Sequence, residues 1–210
     1  MASERAPAAQ VPRAAASEAI EQALAVLLVV AGPSGVGKGT IVRRLLEREP
    51  GLWPSVSATT RPPREGEVDG RDYRFMSQGA FERLRAEGGF LESFDVYGDL
   101  KGTPRGPVEE HLAAGDDVLL EIDVQGAMAV REAFPDAVLV FVRPPSREVQ
   151  RERLLGRGQD DPEAVQRRLG AAEAEESLAE HFDEVVVNDD ADRAAAEVAT
   201  ILGRHRRAQR

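Results

Sequence analysis

The sequence predicts an α/β protein: a three-layer core around a parallel sheet, with a small α+β subdomain inserted into it. Three observations carry that prediction. Continuous apolar runs at Ala25–Val30, Val118–Ile122 and Val138–Val142 suit strands buried on both faces of a sheet. Helix-like stretches alternate with them along the chain. Between about Ser55 and Tyr97 the pattern changes to short strands, one short helix and a long loop bearing prolines and glycines. A length of 210 residues, 42% of them hydrophobic and 30% charged, fits one domain, or one domain carrying an insertion, without disulfide staples.

Taken in order, residues 1–22 are rich in Ala, Pro and Ser and read as a disordered or weakly helical tail. The first strand, Ala25–Val30, leads into a helix from Lys38 to Glu49, with Ile41, Val42, Leu45 and Leu46 on one face and Pro50-Gly51 as its stop. Within the insertion, Tyr73–Met76 and Phe90–Val96 read as strands. Thr103-Pro104 has the form of an N-cap followed by proline at the first helical position, and Gly115 closes that helix. After Val118–Ile122 and Val138–Val142, Ser146 and Asp161-Pro162 start two helices separated by Gly156-Arg157-Gly158. Val185–Val187 is the last strand, and Asn188-Asp189-Asp190 precedes a final helix.

Composition narrows the chemistry. The absence of cysteine excludes disulfides, thiolate metal sites and a cysteine nucleophile, and it suits a cytoplasmic protein. Three histidines without paired spacing give no basis for a histidine metal centre. A net charge of −10 argues against nucleic-acid and anionic-membrane partners. The longest apolar run, Ala23–Ala31, is about half of the ~20 residues that a spanning helix needs. Against that acidic background, arginines gather at 61–74 and 143–168, either as ordinary salt-bridged faces or as grips for small anions.

Four segments carry chemistry. Gly32-Pro33-Ser34-Gly35-Val36-Gly37-Lys38-Gly39-Thr40 follows a strand and opens a helix, the context of a phosphate-binding loop. Its backbone N–H groups would wrap a polyphosphate, with Lys38 reaching the outer phosphates. Gly39 stands where a Ser or Thr is usual, which weakens any case for a direct hydroxyl ligand to Mg²⁺. Leu119-Leu120-Glu121-Ile122-Asp123 is an apolar strand ending in two carboxylates, one of which can face the phosphates. On the proline-stiffened stretch Ser57 to Tyr73, Arg61 and Arg64 are spaced to grip one phosphate, and Tyr73 could add a hydroxyl. Finally, Arg153, Arg157 and Arg168 flank a glycine hinge, as a closing lid would require.

Together these motifs resemble the guanylate kinase family over about Val26 to Asp190. The resemblance rests on the glycine loop at Gly32, on SVSATTRPPREGEVDG from Ser55, and on Phe90-Leu91-Glu92. It continues through EIDVQG from Glu121, Pro144-Pro145-Ser146, Gly156-Arg157-Gly158 and Val187-Asn188-Asp189-Asp190. It implies a three-layer P-loop kinase fold, with the core at about 23–55, 107–145 and 179–210, a GMP-binding subdomain at about 56–106 and a helical lid at about 146–178.

It also implies transfer of a phosphoryl group from ATP, with Mg²⁺, to GMP. By position, Arg61, Arg64 and Tyr73 would hold the GMP phosphate. Glu92 and Glu121 would contact guanine, and Ser57 and Thr103 would supply hydroxyls. Lys101 stands where the family commonly has a tyrosine against that phosphate, and its ammonium could substitute as a point charge. The loop from Gly32 to Thr40 would take ATP, with Asn188 beside the adenine and Asp123 near Mg²⁺ through water. Lys38, Arg61, Arg153, Arg157 and Arg168 would neutralise the transferring group.

A different small-molecule kinase on the same scaffold would not need Glu92 together with Arg61 and Arg64. A non-catalytic binding module of the same ancestry would not need Lys38 and the lid arginines. No Asn-Lys-x-Asp sequence supports a GTPase. Monomer and homo-oligomer stay equally open.

Overall fold

The computed structural model describes residues 25–96, 98–155, 169–170 and 172–209. The predicted N-terminal tail, and the part of the predicted lid carrying Arg157 and Arg168, lie outside the described residues.

A five-stranded sheet forms the core, in the order β2-β7-β1-β8-β9 and parallel throughout. Its strands are β1 (Leu27–Ala31), β2 (Trp53–Pro54), β7 (Val118–Glu121), β8 (Val138–Arg143) and β9 (Glu184–Val187). All five residues of β1 are buried, as its central place demands. Alternate residues supply the two faces. Leu28, Val30, Val140 and Val142 pack under α1 (Lys38–Arg48) and the C-terminal helix α6 (Ala191–Ala208). Leu27, Val29, Leu120 and Phe141 pack under α3 (Arg105–Ala114) and α4 (Val124–Ala133). The resulting three layers leave the carboxyl ends of β1 and β7 facing one crevice, where sheets of this type bind ligands.

A second sheet, in the order β4-β3-β6-β5, stands apart from the first. It consists of β3 (Ala58–Thr59), β4 (Arg74–Phe75), β5 (Phe90–Val96) and β6 (Asp99–Pro104), and α2 (Gln78–Ala86) covers it. Its own small core is Ala58, Phe81, Phe90 and Leu100, with the Phe81 and Phe90 rings stacked at 4.3 Å. The chain leaves the core sheet after β2 and re-enters it through α3. Those two crossings are tied where Trp53 stacks on His111, centroid to centroid at 3.9 Å.

One expected cap is corrected. Thr103 is the penultimate residue of β6, not an N-cap: it is fully buried, its hydroxyl bonds Glu92, and Pro104 takes the cap position without a side-chain bond. The helix it precedes does end at Gly115, in the left-handed region at φ 86°. Downstream, α5 (Arg147–Leu155) begins after Ser146, whose hydroxyl accepts from the Val149 N–H. Asp190 caps α6 by accepting from the Arg193 N–H.

Candidate active site

The loop Gly32–Gly37 joins β1 to α1, and packing explains its glycines. A Cβ at Gly32 would lie 2.3 Å from the Val142 carbonyl oxygen. At Gly37, with φ 91°, a Cβ would meet the Asn188 side-chain nitrogen at 2.5 Å. Gly37 is also the N-cap of α1; no side chain caps that end, and no acid occupies the first turn. The positive end of α1 therefore stays open to an anion.

The back of the loop is held by three side chains. Gln150 is buried and donates to the Ser34 carbonyl at 2.8 Å. Arg153 donates to the carbonyls of Val36 and Asn188 at 3.1 and 3.0 Å. Asn188 is itself buried and donates from Nδ2 to Val36 at 2.7 Å, which leaves its Oδ1 without a partner among the described residues. An unmatched buried acceptor at the edge of a phosphate loop suits an amino group on a bound base. Arg153 thus braces the loop, with its forks committed to backbone carbonyls.

Lys38 folds over the loop and donates to the Gly32 and Pro33 carbonyls. Desolvation lowers its ammonium from the ordinary range, while the charges of Glu121, Glu175 and Asp123 draw it back up. Glu121, at the end of β7, lies against Gly39, 3.6 Å from where a Cβ would stand. Asp123 caps α4 with Oδ1 accepting from the Gly126 N–H at 2.7 Å. Its second oxygen can therefore turn to the phosphates or to a hydrated cation. No group of three His, Cys, Asp or Glu residues suited to a metal occurs among the described residues. Any Mg²⁺ would depend on phosphate oxygens and water for most of its ligands.

Across the cleft, the small subdomain supplies charges from side chains. Arg61 forms a two-pronged pair with Glu67, each N–O distance 2.9 Å, and also donates to the Pro62 carbonyl. Glu67 further accepts from the Arg64 N–H at 2.7 Å, and these bonds hold its carboxyl below the usual range. The pair occupies the end-on edge of the guanidinium and leaves the Nε edge for another anion. Two cations reach the Tyr73 ring, Arg61 at 5.3 Å and Lys101 at 5.4 Å from its centroid. Arg64 is exposed, and the backbone carbonyl of the half-buried Ser57 fixes β4 by accepting from the Arg74 N–H.

Glu92, on β5, is the buried acid of the cleft, 8% exposed. Thr103 donates its hydroxyl to one carboxylate oxygen at 2.6 Å. Burial pushes the Glu92 carboxyl up to about 7; the Thr103 bond and the Lys101 charge oppose that rise, and Asp123 adds to it.

The structure thus gathers Lys38, Glu121 and Asp123 at the phosphate loop, Arg61, Tyr73 and Lys101 around one ring, and Glu92 with Thr103 on the facing strands. Three supports are missing from the sequence reading. Gln150 was available as a polar residue in helical register with Leu154 on a buried face. Glu67 stood three residues after Arg64 in an alternating run of charge. Glu175 has no comparable signal; desolvation raises its carboxyl, and Lys38 draws it down.

A glycine loop that cradles phosphate at one end of a cleft, and an arginine-bearing subdomain at the other, define a small-molecule kinase of the P-loop class. Comparison with known proteins narrows this further. The model for the guanylate kinase family matches residues 25–205. A guanylate kinase of Gloeobacter violaceus is 57% identical over 176 residues, covering 84% of this chain and 86% of that one. One from Symbiobacterium thermophilum is 58% identical, with 84% and 83% covered. The crystal structure of guanylate kinase from Anaplasma phagocytophilum superposes with a TM-score of 0.73 at 36% identity, over 87% of this chain and 86% of that one. A gluconokinase from Sinorhizobium meliloti, TM-score 0.51 at 19% identity, shares the fold alone. The chain belongs to the guanylate kinase family, and it is an enzyme of phosphoryl transfer. No helix of the described residues is long and apolar enough to cross a membrane.

Proposed function

We propose that the chain transfers the γ-phosphoryl group of ATP to GMP, giving ADP and GDP, in the purine nucleotide metabolism of the cytoplasm. The observation that carries this reading is Glu92, a nearly buried carboxylate that accepts from the Thr103 hydroxyl and feels the Lys101 charge. Guanine presents N1–H and its 2-amino group side by side, and one carboxylate accepts both; adenine has no such pair. A base that leaves Glu92 unmatched is penalised by the cost of a buried unpaired charge.

On the donor side, the loop N–H groups from Gly32 to Thr40 and the Lys38 ammonium would hold the ATP phosphates, with Asn188 Oδ1 open to the adenine amino group. Bound Mg²⁺ would neutralise phosphate oxygens, and Asp123 would hold it through water. Arg157 and Arg168 keep only the role that the resemblance implies, closing over the transferred group. On the acceptor side, the free edge of Arg61, together with Arg64, Tyr73 and Lys101, would hold the GMP phosphate. Ser57, Thr103 and Glu121 would complete the acceptor pocket. An oxygen of that phosphate is already anionic and attacks directly, so no side chain need act as a general base. The protein aligns the two phosphates and offsets their charge.

ADP formation from ATP and Mg²⁺, measured in parallel with GMP, AMP, UMP and CMP, tests this. Strong turnover with GMP alone is expected. Silence with all four, from folded protein that still binds GMP, would overturn the reading in favour of a binding module.

A further inference from the structure

The Arg61 guanidinium is held from several sides. It has five N–H donors, and three are engaged: Nη1 and Nη2 each donate to Glu67, and Nη1 also donates to the Pro62 carbonyl. Two rings lie against it, the Tyr73 and Phe75 centroids standing 5.3 and 5.8 Å from Cζ. The donors outside these bonds, Nε–H and the outer N–H of Nη2, lie side by side on one edge, the fork that fits two oxygens of a phosphate.

Glu67 does more than neutralise this arginine. Its Oε2 also accepts from the Arg64 N–H at 2.7 Å, and the Glu67 N–H returns a bond to the Arg64 carbonyl at 3.1 Å. The turn between them passes through Gly66, in the left-handed region at φ 85°. One carboxylate therefore fixes the head of Arg61 and the root of Arg64. We propose that Glu67 is a positioning residue for the acceptor phosphate: it clamps the end-on edge of Arg61 and the root of Arg64, so that the Nε–Nη2 fork is already set when the phosphate arrives. This rests on the reading that Arg61 and Arg64 hold the GMP phosphate.

Positioning and plain charge differ in sign. By charge alone, an acid beside an anion site weakens binding, and its removal tightens GMP. A carboxylate that orders the arginine has the opposite effect, because without it the side chain gives up its rotamer freedom only on binding. The experiment is the Kd for GMP and for guanosine, by calorimetry, in four proteins: wild type, Glu67→Gln, Arg61→Met and the double variant.

We expect Glu67→Gln to weaken GMP by about tenfold, the size of one charge-assisted hydrogen bond, and to leave guanosine, which has no phosphate, within about twofold. In the Arg61→Met background the same substitution should change GMP binding by less than about twofold. Should Glu67→Gln not fold, Glu67→Asp, which keeps the charge and withdraws the clamp, takes its place in the comparison. Tighter or unchanged GMP binding in the single variant overturns the proposal. So does a loss of equal size with and without Arg61, or one shared by guanosine, since either marks a merely structural role. GMP binding that Arg61→Met leaves unchanged would instead overturn the placing of the phosphate at Arg61, and the proposal with it.

Discussion

On the proposed reading, the two ends of the cleft handle anions by different means. At the donor end the work falls to backbone: glycines pressed against Val142 and Asn188, an uncapped helix terminus, and buried Gln150 bracing a carbonyl. At the acceptor end it falls to side chains, with Arg61 held by Glu67, Lys101 against Tyr73, and Glu92 bound by Thr103. A backbone cradle binds any polyphosphate and tolerates little substitution. A side-chain site discriminates, because its charges depend on their neighbours and can be tuned one residue at a time. Generic donor binding and selective acceptor binding thus follow from different materials.

The largest test of this contrast is Lys38→Met, at the ammonium that folds over the donor loop. It should lower kcat by about 10²- to 10³-fold with the fold intact, as for loss of one charge-stabilising donor. Matched turnover and circular dichroism measurements check both halves of that statement.

Next in size is the cost of keeping Glu92 in place. Its carboxyl rises from 4.5 to about 7 on folding, so the unfolded chain releases that proton more readily. Stability from this group is complete below 4.5 and is lost as pH rises through about 7. Glu92→Gln should therefore stabilise the ligand-free enzyme by up to about 3 kcal/mol at pH 8.5, and by little at pH 4, in urea titrations. A smaller effect should follow from Thr103→Val, which removes a bond that favours the Glu92 anion. KM for GMP should rise a few-fold, by more at pH 7 than at pH 8.5; an unchanged KM would show that Thr103 does not support Glu92.

The donor end was the more legible in sequence, and the contrast explains why. Glycine spacing, a preceding apolar strand and a following helix are local, so the loop at Gly32–Thr40 is written in nine consecutive residues. The two-residue strands β2 and β3 are too short to show alternation and exist through partners distant in sequence: β2 pairs with β7, and β3 with β6. Thr103-Pro104 has the local grammar of a helix start, yet the hydroxyl is taken by Glu92, and tertiary pairing extends the strand. The helix α4 is absent from the sequence reading, although Val124, Ala127 and Val130 recur three residues apart on its buried face and Asp123 caps it. Glu92 is visible as a residue, but its raised carboxyl is not, because burial brings it about through tertiary packing and Asp123 adds to it from a separate element.

The central claim is that one ionised carboxylate at position 92 selects guanine. It is tested most directly by the ratio of kcat/KM for GMP to that for AMP, at pH 8, in wild type and Glu92→Gln. We predict a fall in that ratio of about 10²-fold or more, carried mainly by KM for GMP. A ratio unchanged by the substitution would contradict the account and place guanine recognition elsewhere in the cleft.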